Sequence, residues 1–224
     1  MRSKTISTLN TIIVAGTPVA LSDSIKILGV VLDKNLTFDS HISHASKSYF
    51  YYIRALRQIR PALTDDGAKL VACSLVGSHI DYANPVLFGT SAKNLARLHR
   101  IQSTLARVVT MQRGRISILK MLSDLHGLSM KFRVDFKVAT LTFKVLESGD
   151  QVIISIATSR RTLRSSADTQ RLSVIPSRTK IGARTFRHSA PHVWNSLPLD
   201  IRSASSVQSF KSRLKTHYFR QAFN

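Results

Sequence analysis

"SIKILGVVLDKNLTFDSHI", residues 24–42, decides how the chain is read. Up to Leu32 it is β-branched or apolar around one glycine, the composition of short strand. Asp33-Lys34-Asn35 is a turn signal that ends the β element. From Asp39 the period changes. Ile42, Ala45, Tyr49, Tyr52, Leu56 and Ile59 recur at three-and-four spacing, which predicts an amphipathic helix. Asp39 is its expected N-cap and Pro61 its stop.

Upstream, "MRSKTISTLNTIIVAGTPVALS" is basic and then apolar, like a leader, but Thr, Asn, Gly and Pro interrupt it. Two strands around Gly16-Thr17 fit it better. The runs 11–15, 18–21 and 25–32 predict one small antiparallel sheet. Its apolar residues, Ile12, Val14, Ile27 and Val30, are expected to lack partners and stand exposed.

Downstream the pattern is helical. A second helix starts at Thr64, with Asp65 and Asp66 in its first turn, carries Leu70, Val71, Leu75 and Val76 inward, and ends before "DYANP" at 81–85. A third spans 91–111 with Leu95, Leu98, Leu105 and Val109 as its buried stripe. At ~100° per residue, Lys93, Arg97, Arg100 and Arg107 fall within roughly a quarter of the circumference on its other side. The first helix carries Lys47, Arg54 and Arg57 similarly. A short helix near 116–125 and a long one near 130–147, with Phe132, Phe136, Ala139, Phe143 and Leu146 spaced as core, complete this part. Residues 158–187 are Arg-rich loop, with a strand expected at 172–175. Trp194, between Pro191 and Pro198, is expected to plug a core. Ser203, Ser205 and Ser206 lead into a last helix at 207–223 with Phe210, Leu214 and Tyr218 apolar. The class is mostly α (α+β). The expected divisions are a β element at 1–38, a helical bundle at 39–148, a basic linker at 149–188 and a C-terminal segment at 189–224.

The chain has 224 residues and is 43% hydrophobic, enough for a core and against wholesale disorder. Its 33 Lys and Arg against 12 Asp and Glu leave +21. A surface of that charge points to a polyanion, above all nucleic acid. Cys73 is the only cysteine, which excludes a disulfide framework and a cysteine zinc site and fits an intracellular compartment, nuclear or cytoplasmic, rather than secretion. No apolar run is long enough to span a membrane.

Catalytic and metal signals are weak. His41 and His44 lie three apart, His188 and His192 four apart, and neither pair has a Cys or Glu nearby to complete a site. There is no phosphate-binding glycine loop and no nucleophile elbow. Asp65-Asp66 follows Thr64 at a helix start, where capping explains the pair; no second metal-binding strand precedes it.

Six stretches carry a resemblance, in order: "SIKILGVVLDKNLTFDSHI" (24–42), "LVGSHIDYANPVLFGTS" (75–91), "LARLHRIQSTLARVVT" (95–110), "RTLRSS" (161–166), "APHVWNSLPLDIR" (190–202) and "SFKSRLKTHYF" (209–219). They resemble the C-terminal part of reverse transcriptases of non-LTR (LINE-type) retrotransposons, of the jockey and chicken-repeat kind. The resemblance spans nearly the whole chain. It implies that 1–38 is the end of a catalytic palm, 39–148 a thumb, and Lys26, Leu28 and Gly29 part of a primer-grip-like junction. It also implies that the metal-holding aspartates lie upstream of residue 1, so this chain alone polymerises nothing and holds no cofactor. "QVIISIATSRRTLRSS" at 151–166 departs from the family, which has a Pro-Tyr-Leu stretch and an Arg-Ser-Leu-Arg-Ser run there.

The resulting expectation is an RNA-directed DNA polymerase fragment that binds RNA, RNA–DNA or DNA duplex by its phosphates. Its contacts are Lys47, Arg54, Arg57, Lys93, Arg97, Arg100 and Arg107, and the missing upstream polymerase region is a second partner. The rivals are a domesticated stand-alone nucleic-acid-binding protein and a non-functional translated relic.

Overall fold

The computed structural model describes residues 11–112, 117–125, 127–149 and 171–223. "RTLRSS", the divergent 151–166 stretch and much of the basic loop lie outside them. The class is mostly α, as expected: two small hairpins precede a helical body that ends on a C-terminal helix.

The expected single sheet is two. β1 (Thr11–Val14) pairs antiparallel with β2 (Thr17–Ala20), and β3 (Ser24–Ile27) with β4 (Val30–Asp33), with Ile27 opposite Val30. The run 25–32 is therefore two strands. Leu28 at φ 46° and Gly29 at φ 79° form the positive-φ turn that matches strand twist. The hydroxyl of Tyr82 donates to Leu28 O at 2.8 Å and fastens this turn to the helical body. Ile12, Val14 and Ile27 are exposed as expected, but Val30 is buried at 7%, because β4 packs on the first helix.

Asp33 rather than Asp39 organises the passage into helix. Its carboxylate accepts from the backbone N of Asn35, Thr37 and Phe38 and from the Thr37 hydroxyl, at 2.8–3.1 Å. Burial pulls this carboxyl up, but the four bonds outweigh it and hold Asp33 below its ordinary value. The bonds hold Leu36 and Phe38 at positive φ, a costly conformation for such side chains. Phe38 takes the N-cap position, and Asp39 is the first residue of α1 (Asp39–Ile59).

Pro61 ends α1 in a 3-10 turn, as expected. α2 (Asp65–Ala72) is capped by the Thr64 hydroxyl, which accepts from Gly67 N. A π-turn at Cys73–Gly77 joins it to α3 (Ser78–Asp81). The buried residues are Ala68, Ala72, Val76 and Ile80. Leu70 and Leu75, expected inside, are exposed at 69% and 40%. The alanines let the helix approach its neighbours closely, and the extra residue of the π-turn keeps Val76 inward while turning Leu75 out.

α4 (Ala92–Thr110) starts on Ser91, whose hydroxyl accepts from Asn94 N. α5 (Ile118–Asp124) and α6 (Met130–Ser148) follow. α6 is buried along Val134, Val138, Ala139, Thr142 and Phe143, while Phe132, Phe136 and Leu146 are half-buried. The expected strand at 172–175 is absent. Leu172 alone is a single bridge residue, and the Asn195 side chain holds its backbone, accepting from Leu172 N at 2.9 Å and donating to Leu172 O at 2.8 Å. α7 (Phe186–Asn195), α8 (Leu199–Arg202) and α9 (Val207–Phe223) close the fold. Trp194, Phe143 and Phe210 stack where α7, α6 and α9 meet. One core runs from Val30 to Tyr218, so parts of 1–38, 39–148, 149–188 and 189–224 share it. Among the described residues, no helix is long and apolar enough to cross a membrane.

Asp135 on α6 is largely buried, and burial pushes its carboxyl up from 3.8 to about 6, against the lowering effect of Lys131. Burial, with the Asp135 charge adding to it, also pushes the Tyr218 hydroxyl up. Between roughly pH 4 and pH 6 the folded state holds a proton that the unfolded chain has released, so Asp135 costs stability as pH rises through that window. Asp135→Asn is expected to raise the urea midpoint relative to the parent more at pH 7 than at pH 4. An equal difference at both pH values contradicts this.

Candidate nucleic-acid interface

α1 and α4 pack side by side and run parallel. At their N-terminal ends Asn94 Nδ2 donates to Asp39 Oδ1 at 2.7 Å, and Arg97 Nη2 to Ser43 Oγ at 2.8 Å. At their C-terminal ends Arg60 Nε donates to Val109 O at 2.7 Å. Each helix buries one side: Ile42, Tyr49, Ile53 and Leu56 on α1, Leu98, Ile101, Val108 and Val109 on α4.

Helical phase then places the basic residues. At ~100° per residue, Lys47, Arg54 and Arg57 lie about 70–150° from the core direction of α1, on the flank carrying Ser43 and hence turned toward α4. On α4 the rotation runs the other way: Arg97, Lys93, Arg100 and Arg107 lie about 70–150° from the core direction, beginning at the flank that touches α1. Opposite senses are what two parallel helices need to share one outer surface. Arg57 and Arg107 do line the same cleft, with Arg60, Met111 and Gln112, around about 370 Å³.

Lys47, Arg54, Arg57, Lys93, Arg100 and Arg107 are exposed, and none forms an ion pair or hydrogen bond among the described residues. Arg97 differs from the other six. It is half-buried, bonded to Ser43 and 3.4 Å from Asp39 O, so it braces the two helices. Bridging between helices is invisible in sequence, where Arg97 looks like its neighbours on the stripe.

The acids near this face are otherwise engaged. Asp65 accepts from Arg60 Nη2 at 2.5 Å, and Asp66 pairs with Lys69 at 3.4 Å. Both lie in the first turn of α2, where the helix dipole favours them. Asp81 takes both its oxygens to Arg133 Nη1 at 2.9 Å.

Lys26 is on exposed β3, and Leu28, 83% exposed, forms the hairpin tip with Gly29. The turn is fastened to the helical body by Tyr82, whose ring also lies 3.6 Å from where a Gly29 Cβ would be. His41 Nδ1 accepts from Val31 N at 3.4 Å, and the His188 and His192 rings stack with centroids 5.0 Å apart. Among the described residues no three His, Cys, Asp or Glu side chains converge as metal ligands.

The basic loop separates into two kinds of arginine. Arg178 and Arg187 line an open cleft of about 300 Å³ with Ser177 and His188. Arg184 turns inward, donating to Leu36 O at 2.7 Å and lying over the Phe38 ring. No family model matches this chain, and neither a curated protein nor a solved structure does.

Proposed function

We propose that this chain is the thumb and C-terminal part of a retrotransposon reverse transcriptase that holds RNA or an RNA–DNA duplex by its phosphates against the shared face of α1 and α4. The observation that carries the binding is six exposed Lys and Arg side chains on two parallel helices, with no acidic partner among the described residues. Forked guanidinium groups suit phosphate oxygens, and a cation without a partner loses nothing by meeting one. The polymerase origin rests on the six ordered motifs. In this reading the chain is not an enzyme by itself, and the carboxylates that hold divalent metal belong to the upstream palm.

The apolar side chains Ile12 and Val14 on β1 and Ile25 and Ile27 on β3 are exposed, as residues that a neighbouring protein region covers would be. They favour a piece of a larger polymerase over a stand-alone binding protein. The test of the binding is indifference to sequence. Two hybrid duplexes of equal length and unrelated sequence are expected to bind within about threefold of each other, because phosphates carry no sequence information. A preference of about 10³, the range of base readout, contradicts the reading.

A further inference from the structure

The cations on the shared face of α1 and α4 do not stand alone. Tyr51 is 69% exposed. It lies one turn beyond Lys47 and one turn before Arg54, so its ring stands between two unpaired cations of α1. Its contact among the described residues is edge-on to Tyr52, at 5.6 Å between centroids and 74° between planes. Tyr52 stacks in turn on His79 at 5.4 Å and 11°, which holds that edge in place. The Tyr51 ring is thus braced on one side and open on the rest. Farther along the seam, the cleft of about 370 Å³ between Arg57 and Arg107 has apolar walls, Pro61, Val108 and Met111, with Gln112 beside them. Met111 is 56% exposed. Arg60, also in that cleft, is already bonded to Val109 O, Leu63 O and Asp65. The cleft therefore offers two free cations against an apolar surface.

Phosphates account for the cations but for neither the open ring nor the apolar cleft. Both suit the face of a nucleobase. In a duplex those faces are covered, because successive bases of a strand stack about 3.4 Å apart and only base edges reach the grooves. Tyr51 and Arg57 are six residues apart on α1, about 9 Å along the axis, so bases at the two places are unstacked from each other. Resting on the phosphate-binding reading above, we propose that this face prefers single-stranded nucleic acid. One unpaired base stacks on Tyr51, with Lys47 and Arg54 on the phosphates beside it. A second lodges in the cleft against Met111, with Arg57 and Arg107 on its phosphates. Every base has a face to stack, so the preference is for unpaired bases and not for a sequence.

The test is fluorescence-anisotropy titration of the full chain, at one low salt concentration, with three probes of equal phosphate number. They are an unstructured single-stranded oligoribonucleotide, an abasic strand of the same length, and an RNA–DNA hybrid duplex. The single strand is expected to bind about tenfold tighter than the abasic strand or more, the range of base stacking on aromatic rings. Tyr51→Ala is expected to weaken the single strand about tenfold and to leave the abasic strand and the duplex unchanged. Tyr51→Phe, which keeps the ring, is expected to bind as the parent does. Met111→Gly suits the positive φ of 52° at that position and is likewise expected to weaken the single strand alone. Both side chains are exposed, so the circular dichroism of each variant stays that of the parent. Equal affinity for the single and abasic strands, a single-strand preference untouched by Tyr51→Ala or by Met111→Gly, or an equal loss on the abasic strand each overturns this inference and leaves the phosphate reading standing. Failure of all three probes to bind overturns both.

Discussion

An RNA–DNA hybrid bound to this chain at 50 mM salt is expected to lose about 10³ in affinity by 200 mM. Each phosphate neutralised by Lys or Arg releases condensed counterion, so log K falls with log salt by about 0.9 per contact. Six contacts, one for each exposed and unpaired cation of α1 and α4, set a slope of about −5. Arg97 is left out of that count because its guanidinium already bonds Ser43. Removing Arg97 is expected to loosen the packing of α1 on α4, whereas Arg54, Arg100 and Arg107 are exposed and can be truncated without touching the core. Their triple alanine variant is expected to keep its unfolding midpoint and to bind with a slope near −3. An affinity that barely changes with salt contradicts phosphate binding altogether.

Phe210→Ala is expected to cost about 3–5 kcal/mol, a large share of the roughly 5–15 kcal/mol that holds a domain folded. Phe210 is fully buried, stacked on Phe143 at 4.5 Å and on Trp194 at 5.8 Å between ring centroids. Three helices, α6, α7 and α9, meet on these rings, so the space left by truncation cannot close without moving one of them. Trp194 is the only tryptophan, and its fluorescence reports this core directly. Urea unfolding followed at Trp194 is expected to show a midpoint shifted far down at unchanged slope. A loss under about 1 kcal/mol would mean that α9 is only loosely attached.

That aromatic junction was largely legible in the chain. Trp194 between two prolines and Phe210, Leu214 and Tyr218 at helical spacing announce buried positions, and all four are buried. The helix α9 begins and ends where its serines and periodicity put it. What escaped sequence reading was local and physical. Leucine outranks alanine in any hydrophobic pattern, yet Ala68 and Ala72 face inward while Leu70 faces out. The π-turn at Cys73–Gly77 has no sequence signature, so Val76 is buried as expected but the exposure of Leu75 could not be foreseen. Asp39 has the residue type and place of an N-cap, but Asp33 already bonds the backbone of Asn35, Thr37 and Phe38, and Asp39 is taken by Asn94.

The candidate interface divides in the same way. Helical phase alone found two basic stripes, and packing the helices parallel turns them to one side. Phase could not separate exposed cations from bonded ones. Arg97, Arg60 and Arg184 each satisfy backbone or side-chain acceptors across the fold, over separations only the folded chain reveals. The Leu28-Gly29 turn escapes the sequence pattern: 25–32 reads as one strand, although a lone glycine inside an apolar run also marks a break.

The central claim is that the α1–α4 face, and not overall charge, binds the nucleic acid backbone. The direct measurement compares two triple variants by their salt slopes on one hybrid duplex. One carries Arg54→Ala, Arg100→Ala and Arg107→Ala. The other carries Lys137→Ala, Lys144→Ala and Lys215→Ala, equally exposed residues of α6 and α9. Each takes the net charge from +21 to +18, a loss of three. The account predicts that the first variant halves the slope and the second leaves it at the parent value. Equal slopes for the two variants would contradict it.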